Sequence, residues 1–230
     1  MVAEYTVLWS GGKDSTAALL WVLNNGLNFK VLYVEIAGNT DNMCNEYVHK
    51  LAEELGIEDR LVHCRAVYKG LGFFELVEKW GVPLPSYRWC LTNLKMPAFK
   101  LADTDIVVSG LRRSESVLRK KYVQELTYMP KAGKVSYNPI WNWSDVQVRD
   151  YLRDNGVRLN PCYEKFGHGG NCMFCPFYNK TQIAKTMCDD VWSSRIIKML
   201  RHNKNRLMKG EQGRKVYSRW MRYAGQKTLF

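Results

Sequence analysis

The sequence has no long apolar run. Its longest, Ala17–Leu23, is seven residues, far short of the ~20 needed to cross a bilayer. No basic segment leading into a long apolar stretch stands near its start, so no secretory leader is expected and the cytoplasm is the expected location. Internal repeats and low-complexity segments are also missing. Acid is scarce in one place: from Arg195 to Phe230 eleven bases face a single acid, Glu211, for a net +10. The first 194 residues therefore carry only +2 of the overall +12. No cysteine follows Cys188, although the chain has seven. These absences exclude membrane-spanning, fibrous and repeat architectures. With 46% apolar and 24% charged residues over 230 positions, they leave an ordinary globular domain with a small annex. A near-neutral body with a basic tail points to a polyanionic partner.

What is present alternates between strand and helix signals. Tyr5–Trp9, Lys30–Ile36, Arg60–Val67 and Asp105–Ser109 read as strands; Thr16–Leu23, Glu46–Leu55, Phe73–Trp80 and Leu91–Ala102 read as helices. Elements of this size in alternation imply βαβ units and a mostly parallel sheet. Ser144–Asn155 reads as a further helix capped by Ser144 and stopped by Gly156, and the chain from Thr181 onward reads as helical and basic. The expected organisation is an α/β nucleotide-binding domain over 1–160, a cysteine-rich segment over 161–194 and a helical basic tail over 195–230.

Ser10-Gly11-Gly12-Lys13-Asp14-Ser15-Thr16 lies between the first strand and the first helix. A helix N-terminus offers unpaired N–H groups and partial positive charge to a phosphate, and glycines let the backbone approach closely. Ser10, Ser15 and Thr16 add hydroxyls and Lys13 a full charge. Asp14 either positions a metal or caps the helix. The spacing is not that of a Walker loop. Ser-Gly-Gly-Lys-Asp-Ser resembles instead the pyrophosphate loop (PP-loop) of the adenine nucleotide α-hydrolase superfamily. Gly110-Leu-Arg112-Arg113-Ser-Glu-Ser116-Val-Leu-Arg119, Asn138-Pro-Ile-Trp-Asn-Trp143-Ser-Asp145 and Asn160-Pro-Cys-Tyr163 are similar to segments of the phosphoadenylyl-sulfate (PAPS) reductase family. The resemblance implies a Rossmann-like, mostly parallel sheet of PP-loop type with a helical C-terminal extension. It also implies ATP, adenylyl sulfate (APS) or PAPS as the bound nucleotide, with Mg²⁺ bridging the phosphates of ATP. On that resemblance the loop, Gly110, Arg112, Arg113, Ser116 and Arg119 hold phosphate or sulfate oxygens, for which arginine forks are suited. Lys13, Asp14 and Arg112 are the expected catalytic residues. Glu35, ending the second strand, either contacts ribose or adenine or is an exposed strand terminus.

Cys172-Met-Phe-Cys175 brings two sulfurs near one another, a spacing that reads as metal or redox chemistry before structural disulfides in a chain without a leader. Cys90 stands where cluster-bearing members of the family carry cysteine, and Cys162 is the expected fourth ligand, with His168 its rival. Thiolate softness does not choose between Zn²⁺ and iron–sulfur; the resemblance favours [4Fe–4S]. Cys44 and Cys64 are expected in the core. One departure stands out. The reductases carry a catalytic cysteine near the C-terminus, and here none follows Cys188. The leading expectation is therefore an ATP pyrophosphatase that adenylates an acceptor and couples this to sulfur transfer onto a nucleic acid, with a possible sulfur-donor protein. The alternatives are a sulfonucleotide reductase yielding sulfite and a non-catalytic nucleotide sensor. Arg195, Lys198, Arg201 and Lys204 recur along one helix side, and Lys215, Arg219 and Arg222 alternate with Tyr217, Trp220 and Tyr223. Bases can neutralise phosphates and aromatic faces can stack on unpaired bases; the other reading is a solvated face with the aromatics turned inward.

Overall fold

A computed structural model describes residues 4–225. The tips of the expected first unit and of the basic tail, 1–3 and 226–230, lie outside the described residues. Among those described, six strands form one sheet in the order β3-β2-β1-β4-β6-β5. They are β1 (Tyr5–Trp9), β2 (Phe29–Ile36), β3 (Leu61–Ala66), β4 (Ile106–Val108), β5 (Leu126–Met129) and β6 (Lys134–Tyr137). All pair parallel except β5, which runs antiparallel to β6 at the edge. The sheet is thus α/β and mostly parallel, as expected. Its central strands are continuous apolar runs because helices cover both faces: Val7, Val31, Leu32, Tyr33 and Val108 are almost fully buried. The β5–β6 hairpin was not anticipated.

Helices α1 (Lys13–Asn24), α2 (Asn42–Glu54) and α3 (Phe73–Trp80) follow the first three strands. The first begins three residues before the expected Thr16, inside the glycine loop. Leu91–Lys95 is a π-helical turn leading into the short α4 (Met96–Phe99), where one longer helix was expected. Single-turn π segments of this kind often sit at functional sites. Helix α5 (Val117–Tyr122) follows β4, and α6 (Asp145–Asp154) is closed at its start by a reciprocal Ser144–Gln147 capping box. Beyond it come α7 (Cys162–Phe166), α8 (Lys180–Met187), α9 (Asp190–His202), α10 (Lys204–Met208) and α11 (Glu211–Met221).

The last helices join the same core as the sheet. Trp220 of α11 is 1% exposed and its ring lies 4.7 Å from that of Phe174. This corrects the expectation that it stacks on bases: the aromatics of the tail turn inward, with Tyr217 and Tyr223 half-buried against the core. The cations stay outside. Arg195, Lys198, Arg201 and Lys204 are all exposed. No helix among the described residues is long and apolar enough to cross a membrane.

Candidate nucleotide site and its cysteine wall

The glycine loop follows β1 at the C-terminal edge of the parallel strands, where open α/β sheets hold ligands. Gly11 takes φ +69°, a left-handed conformation that a side chain rarely adopts. Gly12 caps α1 without a side chain, leaving the loop open to an anion. The Ser15 and Thr16 hydroxyls both donate back to the Gly12 carbonyl, and the Trp9 indole donates to Thr16 Oγ1 at 3.0 Å. The Lys13 amide donates 3.0 Å to the hydroxyl of Tyr163. The Ser10 amide donates to Ser15 Oγ and the Thr16 amide to the Gly12 carbonyl, so three N–H groups of the loop are already engaged.

Above the loop stands a closed ionic network. Lys13 Nζ lies 2.9 Å from Asp14 and 2.7 Å from Asp145. The buried Arg112 donates from Nε to Asp14 at 2.6 Å and reaches Asp145 at 3.3 Å. Arg149 completes the network on Asp145 at 2.8 Å. Burial works against the charge of Asp145, but hydrogen bonds from Lys13 and Arg149 hold its carboxyl down at about 2. The network is brought together by Gly110, two residues past the end of β4. A Cβ there would stand 2.4 Å from the Asp14 carbonyl carbon, so only glycine lets the β4 exit approach α1 this closely.

The loop opens into a cavity of about 470 Å³. Ser10, Gly12, Asp14 and Ser15 form one wall, and Gly110, Glu115 and Arg119 a second. Phe99 and Met129 supply apolar lining, and Lys95, Cys172, Cys175 and Tyr178 form the far wall. Arg119 is ion-paired with Glu115. Of the expected nucleotide residues, Gly11, Lys13, Thr16, Arg112 and Ser116 are not in that lining, and neither are Glu35 and Arg113. Glu35 is paired with His63 at 3.0 Å and with Arg65 at 3.4 Å, outside the cavity lining. Arg113 donates to the Lys120 carbonyl and covers the Trp141 ring, also outside it. Ser116 caps α5 through the Arg119 amide.

Cys172 and Cys175 line the cavity together, and Cys90 stands near enough to act on both through its charge. Burial and the neighbouring Cys172 push the Cys90 thiol up, and burial with Cys172 and Cys90 pushes Cys175 to about 12. Lys95 sits among them. Burial disfavours its charge, yet Cys172, Cys175 and Cys90 together raise its pKa above the ordinary lysine range. Its ammonium also donates 3.3 Å to Asn171. Cys162 is not in this group. It is fully buried beside Cys44, and a Cβ at Gly170 would come 2.5 Å from its sulfur. Nor is His168 available, since its ring bonds Thr186, the Gly170 amide and the Tyr178 hydroxyl. Among the described residues, no three His, Cys, Asp or Glu side chains are placed to hold a metal ion. The expected four-thiolate centre is therefore not assembled, because Cys162 is buried against Cys44 and the Gly170 backbone rather than beside Cys90, Cys172 and Cys175. Of the other cysteines, Cys44 is buried, Cys64 partly so and Cys188 exposed.

Several organising residues escaped the sequence reading. Asn160 donates 3.0 Å to both the Gly11 and Gly169 carbonyls, tying the phosphate loop to the cysteine loop. Asn39 exchanges hydrogen bonds with Phe174 from beneath. From α11, Arg219 donates to the Pro176 and Tyr178 carbonyls. Asp145, Asn160 and Tyr163 stand inside the motifs that carry the resemblance, which was the available signal. For Lys95 and Asn39 there was none.

A mostly parallel α/β sheet carries a glycine–lysine loop at its β1–α1 junction. Residues 4–177 match the phosphoadenosine phosphosulfate reductase domain, and the chain belongs to that family. An uncharacterized protein of Methanocaldococcus jannaschii is 29% identical over 176 residues, 73% of this chain and 40% of its own length. The adenosine 5'-phosphosulfate reductase of Rhizobium tropici is 33% identical over 95 residues, 41% of this chain and 49% of its own. The chain thus spans half or less of the length of these relatives. Among solved structures, the PAPS reductase of Candida auris in complex with phosphate superposes with a TM-score of 0.52 at 19% identity, covering 71% of this chain and 78% of that one. This likeness concerns the fold.

Proposed function

We propose that this protein cleaves ATP between the α and β phosphates, transfers AMP to an acceptor oxygen and replaces that oxygen with sulfur, the acceptor being a nucleic acid. One observation carries the reading: the phosphate loop and the cysteine wall open into the same cavity of about 470 Å³. A nucleotide seated on the loop has its reacting end within the same enclosure as Cys172 and Cys175.

In the first step the acceptor oxygen attacks the α-phosphorus and pyrophosphate departs. Lys13 and amides of the loop stabilise the charge that develops on the leaving group. Nucleotide binding exchanges partners in the network, drawing Lys13 from Asp145 toward phosphate while Arg112 keeps Asp14 in place. Mg²⁺ bound with ATP would neutralise phosphate charge, and Asp14 would be the loop carboxylate to hold it. In the second step a sulfur nucleophile displaces AMP from the activated carbon or phosphorus. A donor protein is the proposed source of that sulfur, and Lys95 supplies the positive charge at the cysteine wall. The arrangement of the thiols does not fit a four-thiolate cluster, so no step runs through one. Iron, sulfide and zinc analysis of anaerobically purified protein tests this point, and stoichiometric iron with labile sulfide would overturn it.

A second reading is thiol-dependent reduction of APS or PAPS to sulfite, favoured by the same cysteines facing the same loop. Against it, Cys188 is exposed at the end of α8 and lies outside the cavity lining. Calorimetry with ATP, APS and PAPS, together with a pyrophosphate-release assay, separates the two. Preferential binding of ATP with release of pyrophosphate is expected. Tighter binding of a sulfonucleotide with no pyrophosphate release would replace the first reading by the second.

A further inference from the structure

A second recess lies away from the nucleotide cavity, between α3 and α9. It encloses about 290 Å³. Phe74 and Met199 give it an apolar floor, Arg195 and Lys198 form a cationic rim along α9 with His202 beside them, and Glu78 stands on the α3 side. These α9 residues are spaced three and four apart, which places them on one helix face. The Arg195 guanidinium is held over the Trp192 ring at 5.5 Å. Among the described residues, Arg195 and Lys198 form no ion pair with a carboxylate, whereas Lys215 is paired with Glu211 and Lys165 with Asp189.

An aromatic floor beneath a cationic rim complements a flat heterocycle carrying a phosphate. The volume is at the lower end of small-molecule pockets, so it holds about one nucleotide unit. The charge around it extends well beyond one unit. Arg201 and Lys204 continue the row past the recess, and Arg206, Lys209, Arg214 and Arg222 are exposed on the following helices and their connections. A mononucleotide would leave those cations unused, while a polynucleotide backbone can run along them. A paired base would first have to leave its stack to enter.

We propose that the α3–α9 recess takes one unpaired nucleotide of a single-stranded nucleic acid. Its base lies against Phe74 and Met199, its phosphate rests on Arg195 and Lys198, and the flanking backbone follows the basic surfaces of α9 to α11. This names the surface for the nucleic-acid acceptor of the preceding reading and rests on it for the choice of partner. Its test is binding alone.

Fluorescence anisotropy with a labelled single-stranded oligonucleotide, and with a duplex of equal length, is measured over a salt series for the full chain. The single strand should bind more tightly. Phe74→Ala should weaken the single strand on the order of tenfold, as loss of a stacking platform does, with the salt slope unchanged. Arg195→Glu with Lys198→Glu should flatten the slope by about 1.4, two phosphate contacts on a single strand. Because Phe74 is half-buried, Phe74→Leu serves as a second variant that keeps the volume and removes the ring. Equal or tighter duplex binding, an unaltered affinity in both Phe74 variants, or no binding at low salt would overturn the proposal. ATP affinity, measured on the same samples, should be unchanged in every variant. Wild-type protein that binds the strand but not ATP would remove the adenylation reading and leave this one standing.

Discussion

The charges at the phosphate loop and those of the C-terminal helices are arranged in opposite ways. At the loop, Lys13, Asp14, Arg112, Asp145 and Arg149 are all engaged with one another at 2.6–3.3 Å. On α9 the cations stand on the surface without such partners among the described residues. A closed network fixes geometry and can exchange one partner for a ligand oxygen, but its field falls off quickly because its charges nearly cancel. A row of like charges fixes nothing and reaches far, attracting a polyanion from a distance at low salt. One region is built for position, the other for attraction.

The largest expected effect breaks the first region alone. Lys13→Ala combined with Gly12→Val should abolish nucleotide binding in calorimetry, since it removes the charge and adds a side chain where the backbone meets phosphate. Reversal of Arg195, Lys198, Arg201 and Lys204 to Glu should leave ATP affinity within about twofold, because screening at physiological salt cuts off surface charges beyond ~8 Å. Equal losses in both variants would mean that the two regions are one electrostatic unit.

Next comes the contrast within the tail between its inward and outward residues. Trp220→Ala should cost about 3–5 kcal/mol of stability in urea unfolding, as for other large core truncations. Arg195→Glu should stay within about 0.5 kcal/mol. A mild Trp220 variant would indicate that α11 is not part of the core.

The seam between the regions should titrate. His168 is 5% exposed, and burial lowers its pKa to about 3. The unfolded chain, with an ordinary histidine near 6.5, binds the proton that the folded chain refuses. The stability contribution is therefore complete above about pH 6.5 and falls as the pH drops toward 3, by roughly 1.4 kcal/mol per unit. Unfolding midpoints at pH 7, 6 and 5 should show this decline, and His168→Gln should flatten it.

The smallest effect is at Asp145. Its depressed pKa adds stability above about pH 4 that disappears as the pH falls toward 2. Its side chain is half-exposed, so solvent screening keeps the contribution below about 1 kcal/mol. Asp145→Asn should therefore alter ATP affinity, through the freed Lys13, more visibly than the acid unfolding curve.

The phosphate loop could be read from the chain because its chemistry is local: glycines, hydroxyls and a lysine lie between one strand and one helix. The network above it could not. Asp14 and Asp145 meet only because β4, Gly110 and Arg112 bring distant segments together, and no periodicity encodes that. Cysteine spacing showed the same limit. It put Cys162 near Cys172 along the chain, but in the fold Cys162 is buried against Cys44 and Gly170. The β5–β6 hairpin was missed because its strands are four residues each, at the sheet edge, and too short for an alternating pattern to register. In the tail, charge and helical spacing were legible, while the direction in which Trp220 points depended on Phe174, forty-six positions earlier.

Arg219 and Trp220 of α11 hold the carbonyls of Pro176 and Tyr178 and the ring of Phe174, although similarity to the family ends at residue 177. Homology and folding thus have different borders in this chain. A piece cut at 177 would keep every recognisable motif yet leave the cysteine loop without its clamp and Phe174 facing water. The helices past that point cannot be exchanged as an independent module. A change at Arg219 or Trp220 therefore reaches the cysteine loop directly.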